Sequence, residues 1–132
     1  MRASLYFMAI AFNLVLLSCN CPDDPKIIEN QLLLNCWINA REEQSNPDTL
    51  IYRHCDYAEW PISRYRNQFT LEEDSKGRFL VLNPYDAHYF TDCTWSYDEE
   101  NQLIILFIPE WNEKIQFNIL ELTEDKLVGT WE

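Results

Sequence analysis

Arginine and aromatic side chains are concentrated in two short stretches of a chain that is otherwise poor in positive charge. One stretch covers residues 52–66 and the other residues 83–90. Guanidinium groups bind carboxylates, and flat rings stack on sugar or aromatic groups, so the pattern predicts a site for a ligand carrying one of these groups. The candidate ligand-binding residues are Arg53, Arg64, Arg66, Trp60, Tyr85 and His88.

A structural role for the same side chains is the alternative interpretation. The arginines can neutralise the nearby acids Asp56, Glu59 and Asp86, and the aromatic rings can cover a hydrophobic core. We expect residues 56–63 to form a long loop over one mouth of a barrel, and loops on a rigid barrel are common places for binding sites.

Metal and catalytic motifs are weakly represented. His54-Cys55-Asp56, together with Asp86, His88 and Cys93, supplies the ligand types that zinc prefers, but no short paired motif such as Cys-x-x-Cys is present. Neither Gly-x-Ser-x-Gly, His-Glu-x-x-His nor a phosphate-binding loop occurs, and the chain has two glycines. The sequence therefore predicts no metal, no cofactor and no enzymatic activity.

The first eighteen residues have the layout of a secretory signal. Arg2 provides a short positive start, and an apolar run from Leu5 to Leu17 follows, interrupted by Asn13. This run is shorter than the ~20 residues that a membrane-spanning helix needs. We expect residues 1–18 to be removed on export.

Leu16-Leu17-Ser18-Cys19 resembles the lipobox of bacterial lipoproteins at all four positions. The resemblance implies that Cys19 becomes the first residue and carries a diacylglyceryl thioether, with further acylation of its amine. Two or more acyl chains, such as palmitate, give stable membrane anchoring. An ordinary signal peptide with a cysteine near its cleavage site is the alternative.

Residues 19–30 read as an acidic tether that contains two prolines, Pro22 and Pro25. The chain has 22 acidic and 10 basic residues, and its formal net charge is −12. This charge disfavours nucleic acid as a partner and repels anionic lipid surfaces. We expect an outer-membrane lipoprotein held by its lipid anchor, on the periplasmic face or on the cell surface.

With Cys19 lipidated, four cysteines remain, and in an oxidising compartment they allow three complete disulfide pairings. The polar sequence around Cys55 and Cys93 favours that pair, with Cys21 and Cys36 free or joined to each other. Buried unpaired thiols are the alternative.

Residues 31–132 are predicted to form an all-β domain. One short helix is predicted over residues 26–34, across the start of this domain. Apolar, β-branched and aromatic runs are separated by turn clusters. The predicted strands are Cys36–Glu43, Thr49–Cys55, Arg66–Glu73, Arg78–Asn83, Tyr89–Tyr97, Gln102–Ile108, Glu113–Leu122 and Lys126–Trp131. Eight consecutive strands predict a closed antiparallel up-and-down barrel, and an open sandwich or roll is the alternative.

Parts of this domain resemble the lipocalin-like domains common among lipoproteins of the Bacteroidetes. The resemblance is carried by Phe69-Thr70-Leu71, by the strand from Cys93 to Tyr97 with its following turn, and by the ending from Ile119 to Val128. Those domains often start with a short helix and a Gly-x-Trp segment whose tryptophan closes one end of the barrel. Here Asn35-Cys36-Trp37 keeps the tryptophan and lacks the glycine.

For the function, we expect a non-catalytic binding module for a small apolar or amphipathic ligand. A structural or interaction lipoprotein with a filled barrel is the alternative, because large inward residues can fill a small barrel completely. The residues expected to fill it include Trp37, Phe69, Phe79, Trp95 and Phe117. In either case we expect any ligand site to lie near a barrel mouth.

Overall fold

Eight β-strands close into an antiparallel barrel in the computed structural model, which describes residues 30–61, 65–85 and 87–132. The predicted fold class is confirmed, and each strand lies close to its predicted position. The strands are β1 (Cys36–Asn39), β2 (Leu50–His54), β3 (Gln68–Leu71), β4 (Lys76–Leu82), β5 (His88–Asp98), β6 (Leu103–Ile108), β7 (Glu113–Leu122) and β8 (Lys126–Trp131).

The first strand is shorter than expected. It ends at Asn39, because Arg41–Glu43 form a turn of 3₁₀ helix instead of continuing the strand to Glu43. The predicted N-terminal helix is represented by a helical turn at residues 30–33, and the start of that prediction lies outside the described residues.

Strands β3 to β8 follow one another around the barrel, whereas β1 lies between β2 and β3 and β2 lies beside β8. Both β2 and β3 are antiparallel to β1, so they run in the same direction. The connection at residues 55–67 therefore has to return from one end of the barrel to the other. This return brings Trp60 and Arg66, which lie within it, back towards β1.

The register defines the two ends of the barrel. At the closed end, Cys36 of β1 lies opposite Thr70 of β3. At the open end, β4 finishes at Leu82 opposite His88, and β6 finishes at Ile108 opposite Glu113.

Trp37 closes the first of these ends. Its side chain is fully buried, and its indole N–H donates to the carbonyl of Leu33, 3.0 Å away in the helical turn. Leu33 is itself completely buried in the core. The helical turn therefore covers the end of the barrel through one apolar side chain and one hydrogen bond.

Large aromatic side chains fill the barrel interior. Tyr52, Phe69 and Phe117 are fully buried and meet edge to face, with Tyr52 5.1 Å from Phe69 and 5.5 Å from Phe117 between ring centroids. Such edge-to-face pairs are the favoured arrangement of aromatic rings. Gly129 makes room for this packing, since a Cβ there would lie 2.7 Å from the Phe117 ring and 2.1 Å from the Asn118 carbonyl oxygen.

The β3–β4 turn differs from its sequence-based interpretation. The turn pattern predicts a left-handed conformation at Gly77, but Asp74 (φ 58°) and Ser75 (φ 60°) adopt it instead. Gly77 is a buried strand residue opposite Leu71, and a Cβ there would lie 2.6 Å from the carbonyl oxygen of Thr70. Close approach of the backbone is the reason for glycine at this position.

The predicted Cys55–Cys93 disulfide is wrong. Cys55 is bonded to Cys36, and Cys93 is a buried free thiol. Trp37 lies opposite His54 across the antiparallel β1–β2 pair. Cys36, which precedes Trp37, therefore faces Cys55, which follows His54. Cys93 lies on β5 opposite Gly77, in a different part of the barrel wall. Cys21 and the proposed lipidation site Cys19 lie outside the described residues.

Candidate functional site

Arg66, one of the predicted ligand-binding residues, is engaged within the protein. Its guanidinium forms two hydrogen bonds with the Glu42 carboxylate, at 2.9 and 2.6 Å, and a third at 2.6 Å with the carbonyl oxygen of Asn39. Its other side faces the ring of Trp60, 5.1 Å from the ring centroid. The charge-assisted hydrogen bond from Arg66 is the main reason that the pKa of Glu42 falls to about 2.

Arg53 lies in a similar environment. It is bound by the carboxylate of Glu43 at 2.9 Å and by that of Asp125 at 3.2 Å, and it lies over the ring of Tyr57 at 4.5 Å. The hydrogen bond with Glu43 raises the pKa of Arg53. Both arginines thus neutralise protein carboxylates, as the alternative interpretation proposed. Their partners are Glu42, Glu43 and Asp125, whereas the sequence pointed to Asp56, Glu59 and Asp86.

Apart from the contact between Trp60 and Arg66, the remaining predicted residues do not converge with these arginines on one cleft. Trp60 donates its indole N–H to the carbonyl of Cys55, 3.0 Å away, on the outer side of the barrel. Tyr85 is 90% exposed, and His88 meets the Tyr65 ring at 5.3 Å. Arg64 lies outside the described residues.

A cleft of about 220 Å³ lies at the open end, and we call it the mouth cleft. At roughly 30 Å³ per water molecule, this space is large enough for a small organic molecule. Three of its walls are aromatic, and the lining is mainly apolar. The lining residues are Asn67, Phe79, Trp111, Ile115, Trp131 and Glu132.

Two strands and one turn of the chain position the aromatic walls. Trp131 is the last residue of β8 and lies opposite Phe117, so its ring extends from the filled core into the mouth. Trp111 lies in the turn between β6 and β7, where the left-handed Asn112 (φ 52°) reverses the chain. Phe79 faces inward from β4 and contacts both indoles.

A chain of hydrogen bonds links Trp131 and Asn67, which line the mouth cleft, to Tyr52 and Tyr65, and we call this chain the floor of the cleft. The Trp131 indole donates to Tyr52 Oη at 2.8 Å, and the Tyr52 hydroxyl donates to Asn67 Oδ1 at 2.7 Å. The Asn67 amide donates to Tyr65 Oη at 3.3 Å, and Tyr65 donates to the carbonyl of Leu80 at 2.8 Å. Burial raises the pKa of both tyrosines, so they remain protonated donors at neutral pH.

A second groove, of about 400 Å³, lies on the outer wall across β5, β6 and β7. It is lined by outward side chains that include Thr94, Ile105, Phe107 and Lys114. The mouth cleft is the better candidate, because its three aromatic rings converge from separate segments on one space.

The sequence indicated the position of this site only in general terms. The expectation that a site would lie near a mouth agrees with the location of the cleft. Its lining residues were not predicted as ligand contacts, because Trp111 and Trp131 read as a turn residue and a strand residue. The inward alternation of β8 at Leu127, Gly129 and Trp131 was the available signal for Trp131.

The two histidines considered as zinc ligands lie at opposite ends of the barrel. His54 packs edge-on against Trp37 at the closed end, with ring centroids 4.8 Å apart, and His88 is at the open end. Within residues 30–61, 65–85 and 87–132, no group of three His, Cys, Asp or Glu side chains is placed to hold a metal ion. Over the same ranges, no helix has the length and apolarity to cross a membrane.

Comparison with known proteins gave no match: no family model matches this chain, and neither a curated protein nor a solved structure matches it.

Proposed function

We propose that this chain is an exported, lipid-anchored barrel protein that binds a small amphipathic molecule in the mouth cleft without catalysing a reaction. The observation that carries the ligand-binding part is the convergence of Phe79, Trp111 and Trp131 on one space at the open end. The anchoring part rests on the sequence around Cys19.

The apolar lining of the mouth cleft supports an apolar or amphipathic ligand. Trp111 is 38% exposed, and burial of this indole surface by a ligand would be favourable. Asn67 and Glu132 supply polar groups at the edge of the same space. A ligand with an apolar body and one polar end therefore fits this cleft better than a fully polar ligand does.

The filled interior limits the size of the ligand. Tyr52, Phe69 and Phe117 occupy the space that a deep lipocalin-type cavity would need. The ligand is therefore held in the mouth and not in the centre of the barrel. The same filling supports the alternative function, a structural or interaction lipoprotein that binds no small molecule.

Anchoring can be tested by metabolic labelling with radioactive palmitate, followed by separation of membranes from soluble proteins. We expect label in the wild-type protein and none in a Cys19→Ala variant, which should also leave the membrane fraction. An unlabelled wild-type protein, or a Cys19→Ala variant that stays equally membrane-associated, would contradict the anchor.

Ligand binding can be tested by native mass spectrometry of the full-length protein extracted from its host in a mild nonionic detergent. We expect a bound small molecule in the wild-type protein and its loss in a Trp111→Ala variant. Trp60→Ala is the matched control, because Trp60 lies on the outer wall against Arg66. Retention of the molecule by Trp111→Ala would contradict binding in the mouth cleft, and absence of any molecule from the wild type would favour the alternative function.

A further inference from the structure

The aromatic walls of the mouth cleft form a corner of three rings. Trp111 and Trp131 both meet Phe79 nearly at right angles, with interplanar angles of 83° and 89° and centroid distances of 6.2 and 6.0 Å. All three rings line the same space, and their planes differ in direction. Aromatic faces carry negative electrostatic potential, so such a corner attracts a cation.

Three acidic residues lie at the same end of the barrel as this corner, and one of them lines the cleft. Glu132 lines the cleft directly, and Glu110 precedes Trp111 in the β6–β7 turn. Glu110 accepts a hydrogen bond from the Tyr89 hydroxyl at 2.7 Å, which holds its carboxylate at the open end. Glu113 starts β7 on the inward face, opposite Ile108. Glu132 therefore adds negative potential at the rings themselves, and the other two acids add it at the same end of the barrel.

Positive charge is scarce at the mouth cleft in the part of the chain that the structure describes. Among the described residues, no arginine or lysine lines it. At the same end, Arg66 is held by Glu42, and the Arg41 guanidinium donates to the carbonyl of Tyr65. The carboxylate-bearing ligand that the sequence suggested would therefore meet acids here instead of guanidinium groups.

The floor of the cleft also disfavours an anion. The Trp131 indole, the Tyr52 hydroxyl and the Tyr65 hydroxyl each donate to an acceptor within the protein. An anion entering the cleft would lose its hydration and gain no hydrogen bond from these three groups. An alkylammonium ion needs few hydrogen bonds, because its methyl groups contact ring faces directly.

We infer that the mouth cleft recognises a small organic ammonium ion, with its alkylated nitrogen against Phe79, Trp111 and Trp131 and its charge balanced by Glu132. This inference rests on the proposed function, because it specifies the ligand class of the same cleft. The formal net charge of −12 adds long-range attraction for any cation. The aromatic corner adds the selectivity for an alkylated one.

The test compares choline with 3,3-dimethyl-1-butanol, a neutral molecule of the same shape in which carbon replaces the charged nitrogen. Both are titrated into the full-length protein in nonionic detergent at moderate ionic strength, with isothermal titration calorimetry as the readout. We expect choline to bind at least about tenfold more tightly than its neutral counterpart. Equal or tighter binding of the alcohol would overturn the ammonium inference while leaving the proposed function in place. Binding of neither molecule in this titration would count against both the inference and a small-ligand cleft.

Two pairs of variants separate the aromatic corner from general acidity. Trp111→Ala should weaken choline binding by about tenfold, and Trp60→Ala should not change it. Glu132→Gln should weaken choline binding by about threefold, whereas Glu124→Gln removes the same charge from the β7–β8 turn at the closed end and should have no comparable effect. Equal losses for both glutamates would show attraction to net charge alone and would overturn the inference.

Discussion

The indole N–H of Trp131 donates to the hydroxyl oxygen of Tyr52 across 2.8 Å, although 79 residues separate the two in the chain. Tyr52 belongs to β2 and Trp131 to β8, which are the strands that join the β1–β2 hairpin to the rest of the barrel. This hydrogen bond therefore joins two adjacent strands of the closed barrel, and it links a ring of the aromatic core to a wall of the mouth cleft.

Replacing Tyr52 with phenylalanine should destabilise the protein by about 1–3 kcal/mol, because the Trp131 N–H and Asn67 Oδ1 both lose their partner in a buried place. Guanidinium unfolding followed by circular dichroism measures the difference. Tyr85→Phe is the matched control, since Tyr85 is 90% exposed, and it should change stability by less than about 0.5 kcal/mol. Equal effects of the two substitutions would contradict a stabilising role for the buried network.

The disulfide between Cys36 and Cys55 should contribute about 3 kcal/mol to stability, because it restricts the unfolded chain over a sequence separation of 19 residues. A Cys36→Ser/Cys55→Ser double variant should lose this amount in guanidinium unfolding. Reductant should lower the unfolding free energy of the wild type to that of the double variant, and it should leave the unfolding free energy of the double variant unchanged. A nonreducing peptide map that links Cys55 to Cys93 would refute this pairing.

The Cys93 thiol should resist alkylation in the folded protein. It is 4% exposed, and burial, with nearby Asp92 and Glu72, raises its pKa to about 11, so little thiolate forms at neutral pH. Iodoacetamide treatment followed by peptide mass spectrometry measures modification at this position. We expect modification of Cys93 only after unfolding in guanidinium. Rapid modification under native conditions would contradict its burial.

The Glu42–Arg66 pair should make stability depend on acid pH. The hydrogen bond from Arg66 holds the pKa of Glu42 at about 2, below the value in an unfolded chain. A lowered pKa stabilises the folded state above about pH 5, and this contribution is lost as the pH falls towards about 2. Because the Glu42 side chain is half exposed, the contribution is at most about 1 kcal/mol.

Unfolding curves of the wild type and of Glu42→Gln between about pH 2 and pH 7 measure this effect. The stability difference between the two proteins should shrink as the pH falls. In an Arg66→Met background, the same Glu42→Gln substitution should show a much weaker pH dependence. An unchanged dependence without Arg66 would mean that other groups cause it.

Strand positions were accessible from the sequence because the pattern that marks a strand is local. The alternation and turn clusters placed eight strands, and all eight are present close to their predicted positions. Strand order was harder to predict from the sequence, because β1 and β2 could have paired with the consecutive strands β3 to β8 in more than one way. The insertion of β1 between β2 and β3 depends on contacts over long sequence separations.

Site residues were harder to predict because composition indicates which groups are present and not which groups meet. Arg53 and Arg66 stood out as rare positive charges. Each forms an ion pair with a glutamate on the 3₁₀ turn and stacks on an aromatic ring of the β2–β3 connection. Trp111 did not stand out, because nothing near it in the sequence places it beside Phe79.

The sequence by itself determined the all-β fold class and the strand positions. These features depend on periodicity and turn chemistry within short segments. Only the tertiary structure decided the Cys36–Cys55 pairing, the partners of the arginines and the three-ring corner at the mouth. Each of these depends on strand register, which brings together residues that are far apart in the chain.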